Sequence, residues 1–472
     1  MGKKNAYLAS SLVSFRNSQG LEARGSLMRL SRQQAMFEIY NPYSVVQLSE
    51  VLSDLRIHQG EREVYHGRAV VTALMNTGLM LIVSVSLVDP WSDLKGLRTG
   101  EVLRSFVHDF VADWEAGNER MHKPFQLSVG SLRNYLQEVS RSLEHWETES
   151  GLNDTTAPED LKLEFVLDVD HEVFPRLGAL YQEFEETAKD IPRKSQPFHR
   201  AFAQRELHPV MMCSPFLYRA FTKPLGYAGD FQMVQMMLRE PWEGTNSFAK
   251  IMNASVLRHN APAAHRNRIA MLQAQLVEEA TRCARAGRRM RVLNVGCGPA
   301  AEVERFLLTE EVANQTDFVL VDFNTETLDY VRNHLLPLAR AQRPQMRIEI
   351  EQRSVHEIIQ TSMEAKSLEP ASYDLVYSAG LFDYFRDTTC GFLIQHFYTL
   401  LVDGGRVIVT NVTPAHSSEA MMSLVLEWNL ELRDAKQMLA LAPGLGKQET
   451  ICDDTGVNVF LSVRKPSNWQ ES

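Results

Sequence analysis

Gly296-Cys297-Gly298-Pro299-Ala300-Ala301 stands between an apolar run, Arg291–Val295, and the start of a helical pattern. A glycine turn in that place leaves bare backbone, so a ligand can approach a strand end and the first amides of a helix. Asp322 lies 26 residues after Gly296, at the end of Val319-Leu320-Val321, and Phe323 follows it. A carboxylate there can accept hydrogen bonds from both hydroxyls of a ribose. The pair describes a site for a ligand that carries a nucleoside. Dinucleotides use the same spacing, but the chain shows no adjoining dehydrogenase signature.

Three further side chains are of types that handle an acceptor. His416 closes Thr410-Asn411-Val412-Thr413-Pro414-Ala415-His416, and a histidine there can act as base toward a phenol, hydroxyl or amine. Tyr227 and Tyr384 can orient an acceptor through their hydroxyls, or simply pack as aromatics with a polar tip. Tyr227 belongs to Phe221-Thr222-Lys223-Pro224-Leu225-Gly226-Tyr227-Ala228-Gly229-Asp230, whose glycines and proline spell a loop. Lys223, Arg219, Arg386 and Arg433 are the candidate donors for an anionic acceptor, and each also reads as a solvated surface charge. His199, His208, His259 and His265 have no metal-ligand spacing, so no metal is expected.

Such residues need a frame. From Arg291, strand patterns (Arg291–Val295, Phe318–Val321, Met346–Glu351, Tyr373–Ser378, Arg406–Asn411) alternate with helical ones (Ala301–Leu308, Thr325–Leu338). Alternation of this kind predicts a mostly parallel α/β sheet covered on both faces. Glu449–Asp454 and Val457–Val463 read as a terminal hairpin. Residues 101–290 have helical texture, from Val102, Phe106, Phe110, Val111 and Trp114 to Leu132, Leu136, Val139, Leu143 and Trp146. His208–Pro241 looks less regular, Met233, Met236 and Met237 read as core, and Glu147–Glu159 is the best linker. Residues 1–100 read as short strands of a small β-barrel, with turn signals at Asn41-Pro42, Gly60 and Gly67. Val70–Val88 is uncharged over 19 residues, long enough to cross a bilayer. Asn76-Thr77-Gly78 interrupts it, so a hairpin is expected and no transmembrane helix. The expected architecture is multidomain: a small barrel (1–100), a central helical lid region (101–290) and an α/β Rossmann-like sheet (291–472).

Composition narrows the partners. A formal charge of −10 disfavours phosphate-rich nucleic acid. Five scattered cysteines without a CxxC pair suggest neither zinc nor a disulfide framework, and reduced thiols fit a cytoplasmic protein. MGKKNAYLASS lacks the apolar run of a signal peptide, and Ala6 stands where a myristoylation signal wants Ser or Thr.

With these motifs in view, the last third resembles class I methyltransferases that use S-adenosylmethionine (SAM). Val292-Leu293-Asn294-Val295-Gly296-Cys297-Gly298 resembles their first motif, Tyr373–Ser378 their fourth, and Leu400–Val407 the glycine turn before the fifth strand. The resemblance implies a SAM site at Asn294, Gly296, Cys297, Gly298, Asp322, Phe323, Ser354, Val355 and Gly380, with Ser354-Val355 meeting the adenine. Asn294 departs from the usual acid, and Pro299-Ala300 replaces a third glycine-type position. Residues 160–465, with Phe221–Asp230, Leu381–Phe385 and Leu426–Leu430, resemble a bacterial group labelled 3-hydroxypalmitic acid methyl ester biosynthesis proteins. Residues 20–90 loosely resemble a PilZ barrel, but Arg24, Arg29 and Arg32 have the wrong spacing for its nucleotide site. A degenerate barrel used for packing or for a homodimer is the expectation.

The resemblance implies methyl transfer to oxygen, most plausibly to the carboxylate of a hydroxy fatty acid or similar small acid in the making of a signal molecule. An ionised carboxylate needs no general base. Two rivals stand beside it: methylation of another natural product or amine, and a non-catalytic scaffold with a relic domain. The working enzyme is expected to span 160–472.

Overall fold

The computed structural model describes residues 11–40, 46–59, 62–76, 80–89, 121–152, 157–363 and 371–467, with 104, 107, 108, 111, 112 and 115. The turn signals at 41–42, 60 and 77–78, and Val102, Phe106, Phe110 and Trp114, lie outside them. Val111 is helical but 44% exposed, so it is not a core position.

Alternating burial closes the N-terminal strands into a barrel. β1 (Ser11–Arg16), β2 (Glu22–Leu30), β3 (Gln34–Tyr40), β4 (Val51–Gln59), β5 (Arg62–Asn76) and β6 (Met80–Leu87) run antiparallel in the order β1-β2-β3-β6-β5-β4, and β4 returns to β1. Val13, Phe15, Phe37, Ile39, Val83 and Val85 point inward and are buried, two residues apart along each strand. The uncharged run is β5 paired with β6, Val71 opposite Val85 and Asn76 opposite Leu81. Among the described residues no helix is long and apolar enough to cross a membrane. Gly67 does not punctuate strands, as its type suggested; it lies inside β5, where an added Cβ would sit 2.7 Å from that of Asp89.

Between the barrel and the C-terminal sheet, seven α-helices have both ends among the described residues: Lys123–Glu149, Glu159–Lys189, Gln196–Met211, Pro215–Thr222, Phe231–Leu238, Ser247–Leu257 and Asn260–Arg285. The first two pack along an apolar seam, with the rings of Phe125 and Phe184 5.2 Å apart. His208–Pro241 is more regular than its composition suggested. Ser214 and Asp230 cap two short helices there, accepting from Leu217 and from Gln232 and Met233. The longest break between helices there is Lys223–Asp230. Met233, Met236 and Met237 are core, as expected. Into this same core comes a distant piece, the π-turn Met421–Val425 with Leu426 and Trp428.

The C-terminal sheet has the order β12-β13-β11-β10-β7-β8-β9. β7 (Met290–Val295), β8 (Thr316–Asp322), β9 (Arg347–Gln352), β10 (Tyr373–Ser378) and β11 (Leu401–Val412) are parallel. β12 (Lys447–Cys452) and β13 (Asn458–Arg464) form an antiparallel hairpin against β11. Burial on both faces explains why β7, β8, β10, β11 and β13 read as apolar runs, while β9 and β12, at the sheet's edges, carry exposed polar residues. The glycines at 404 and 405 do not precede β11 but form a bulge within it. Tyr373 pairs with Leu401 and Leu375 already with Arg406, while Gly404 takes φ +74°.

Candidate active site

β7 is the strand that matters most, because β8 and β10 flank it and its end opens into the glycine turn. Gly296 and Gly298 take φ +70° and +52°, the left-handed region that glycine enters without strain. Ala300, the departure from the motif, takes the same region at φ +51° and so keeps the turn's path. Gly296 and Cys297 donate to the carbonyl of Val321, tying the turn to β8. Asp322 is buried at the end of β8; one carboxylate oxygen accepts from the amide of Gly298 (3.1 Å) and the other from Asn324 (3.0 Å). Burial raises its pKa while those amides pull it back down. A Cβ at Gly298 would meet nothing within 4 Å, so the turn faces open space.

Asn294 has a structural explanation that its type did not suggest. Its amide donates to Glu302 (3.1 Å) and to the Tyr377 hydroxyl (2.9 Å), and that hydroxyl donates to Glu302 (2.7 Å). The carboxylate missing from position 294 is supplied by Glu302, on the helix Ala301–Thr309.

A cavity opens from this turn. Asn294, Gly296, Cys297, Gly298, Asp322, Phe323, Gly380, Tyr227, Tyr384 and His416 all line it. Ser354 lies in a neighbouring polar cleft that shares Phe323, its hydroxyl bonded to Glu357. Val355 is packed into the sheet's core and lines neither space. The Tyr227 ring sits 5.0 Å from Phe323, and Tyr384 accepts a bond from the Trp428 indole (3.0 Å). Burial pushes both phenols well up, so neither is a base at neutral pH.

Three of the four candidate cations are already engaged elsewhere. Lys223 is 3% exposed and donates to the Leu426 carbonyl (2.8 Å). Arg219 is paired with Asp230, and Arg433 with Asp387 and the carbonyls of Phe382 and Phe385. Neither these three nor Arg386 lines the cavity. The cation that does is Arg268, a residue that no motif singles out. It lies one turn from His265 on the helix Asn260–Arg285, where Ala261, Pro262, His265, Arg268, Ile269 and Leu272 form one face. Arg268 Nη2 donates to His265 Nε2 (2.7 Å), and burial, aided by the arginine's charge, keeps that imidazole neutral; Nη1 is buried and has no partner among the described residues. A Cβ at Gly380 would stand 2.9 Å from Nη1.

Residues 286–452 match a family model described as a methyltransferase domain. The C-terminal unit is a methyltransferase domain. No curated protein matches the chain. Among solved structures, a possible exported protein of Bordetella parapertussis is similar over 53% of this chain and 86% of its own (20% identity, TM-score 0.41). Magnesium protoporphyrin IX methyltransferase of Synechocystis, solved with bound S-adenosylhomocysteine (SAH), is similar over 52% and 96% (10%, 0.36). The N-methyltransferase NodS of Bradyrhizobium japonicum, solved with SAH, is similar over 50% and 98% (13%, 0.31).

The methyltransferase domain does not wall its cavity alone. Tyr181, Glu185, Phe216 and Met237 come from the helical region, Met421, Met422 and Trp428 from the inserted segment, and Gln47, Leu48 and Glu50 from the barrel. The last group lies outside 160–472, the span expected to hold the working enzyme. Hydrogen bonds from the backbone and from two serine hydroxyls fix the barrel there. Val51 donates to Gly226 (2.8 Å), Ser49 bonds Asn429, and Ser86 donates to Glu427 (2.7 Å).

His416 is 7% exposed and its Nδ1 has no partner among the described residues; burial lowers its pKa to about 4. The unfolded chain therefore binds this proton more readily than the folded one. Stability is fully present above about pH 6.5 and is lost as pH falls toward 4. Replacing His416 with Gln should reduce that acid loss by about 3 kcal/mol, read as denaturation midpoints between pH 7 and 4. An unchanged pH profile would mean that His416 is not buried as the neutral form.

Proposed function

We propose that this chain transfers a methyl group from SAM to an oxygen of a small acid with an apolar body, such as a hydroxy fatty acid, giving a methyl ester. SAM supplies an electrophilic methyl group on a sulfonium. The sheet order suggests how it lies: β8, β7 and β10 are neighbours, so a ligand crossing their ends runs from Asp322 past the glycine turn to Gly380. Asp322 would take the ribose hydroxyls. Arg268, at the Gly380 end, would take the carboxylate of the methionine part, which answers its unpaired Nη1. The acceptor oxygen bonds the methyl carbon as the carbon–sulfur bond breaks, the electron pair stays on sulfur, and no proton moves.

The observation that carries this reading is the character of the cavity beside the turn. It is walled by Phe216, Met237, Ile269, Leu272, Met421 and Leu426, and burial holds His259, His265 and His416 in the weakly basic neutral form. A carboxylate suits such a site because it needs positioning and exclusion of water, not deprotonation. One observation favours a second reading, a hydroxyl or amine acceptor. Glu185 lines the same cavity and burial raises its pKa to about 7, a value that suits a general base.

Full-length protein incubated with isotopically methyl-labelled SAM and a panel of 3-hydroxy fatty acids, phenols and amines should label the acids as methyl esters. Glu185→Gln should leave that rate within about threefold. Labelling of phenols or amines alone, abolished in E185Q, would replace the first reading with the second.

A further inference from the structure

The turn between β1 and β2 reaches the methyltransferase domain at a place the main cavity leaves unexplained. Ser18 and Gln19 face Phe323, Gln352 and Ser354 across the polar cleft, and Phe323 borders both spaces. The turn is firmly built. Asn17 Oδ1 accepts from the amides of Gln19 (3.1 Å) and Leu21 (2.8 Å). The amide and hydroxyl of Ser18 both donate to Glu50, a fully enclosed carboxylate that also accepts from Gln47. Ser18 in turn backs onto Gly226, where an added Cβ would sit 3.2 Å from its own.

Gln19 is the exception to this order. Its side-chain oxygen is buried and has no hydrogen-bond partner among the described residues. Gln352 and Ser354, across the cleft, are committed: Gln352 Nε2 donates to the Phe323 carbonyl and to Thr325, and the Ser354 hydroxyl bonds Glu357. A buried carbonyl oxygen without a donor is costly, so a ligand that brings an N–H to it gains more than the bond alone.

We propose that the barrel forms part of the cofactor site, and that Gln19 Oε1 accepts a hydrogen bond from the exocyclic amine of the adenine. This rests on the SAM placement above. With the ribose on Asp322 and the methionine part toward Gly380, the base passes Phe323 on the β9 side, where the cleft lies. The barrel is then a cap that reads the base.

Calorimetric titration of the full-length protein with SAH and with S-inosylhomocysteine, in which a carbonyl replaces the amine, tests it. Wild type should prefer SAH by roughly tenfold. Gln19→Leu should lose roughly tenfold in SAH affinity and bind the two ligands within about twofold of each other, and Gln19→Glu, which keeps an acceptor, should restore the preference. A Gln19→Leu variant that still prefers SAH as wild type does would overturn the adenine contact while leaving the cofactor placement intact. Wild type that binds neither ligand would overturn both.

Discussion

Arg268→Met should weaken SAH binding by about 100-fold while changing the affinity for 5′-methylthioadenosine, which lacks the amino-acid carboxylate, by less than about threefold. The size follows from the strength of a charged hydrogen bond in a buried site, about 1.5–3 kcal/mol for each such bond removed. Methionine roughly fills the arginine's volume, so the change removes the guanidinium without opening a large hole. It also leaves Glu302 and Asp383 without the positive charge that now favours their ionised forms, so thermal unfolding should be followed alongside binding. Arg268→Lys should recover little, since a point charge cannot keep one donor on His265 and offer another to the ligand in the same geometry. Equal losses for both ligands would show that Arg268 shapes the cavity without recognising the carboxylate.

Asp322→Ala should have an effect of similar size on a different ligand set. Loss of two charge-assisted bonds to the ribose amounts to about 3 kcal/mol or more, or at least about 100-fold in affinity. Here SAH and 5′-methylthioadenosine should weaken together, because both carry the ribose, and a 2′-deoxy analogue should lose less in the variant than in wild type. The carboxylate also holds the amide of Gly298, so part of the loss comes from a loosened turn. That part is separable: it weakens ribose and deoxyribose ligands alike. Unchanged affinity for every ligand would sink the placement of the ribose.

The two experiments divide the site between a residue legible in the sequence and one that was not. Gly296, Gly298 and Asp322 could be read because turn geometry and ligand chemistry demand those residue types at nearly fixed spacing. The barrel and the order of the C-terminal elements were legible for a similar reason, since periods of two and alternating strand and helix leave a pattern in the residues. Arg268 left none. A charged residue on a long helix ordinarily faces water, and only the packing of Asn260–Arg285 against the strand ends turns it inward. The same blindness worked in reverse for Lys223, Arg219 and Arg433, whose partners are carbonyls and carboxylates that no local pattern announces. Asn294 reads as a defect in a motif until Glu302 is seen beside it. The barrel's share of the cavity was hidden for the plainest reason: the residues it meets, Gly226, Glu427 and Asn429, are 175 to 380 positions away from their partners.

That separation has a consequence for how the protein is made. Ser49 and its partner Asn429 are 380 residues apart. At translation speeds of roughly 5–20 residues per second, about 20–80 s pass between the synthesis of one and the other. The barrel has its own apolar interior and a closed ring of strands, so it can fold early on the ribosome. Its contact rim, with Ser49 and Ser86, must then stay open until Glu427 and Asn429 have emerged. The cavity that the barrel helps to wall can close only after those two residues are made.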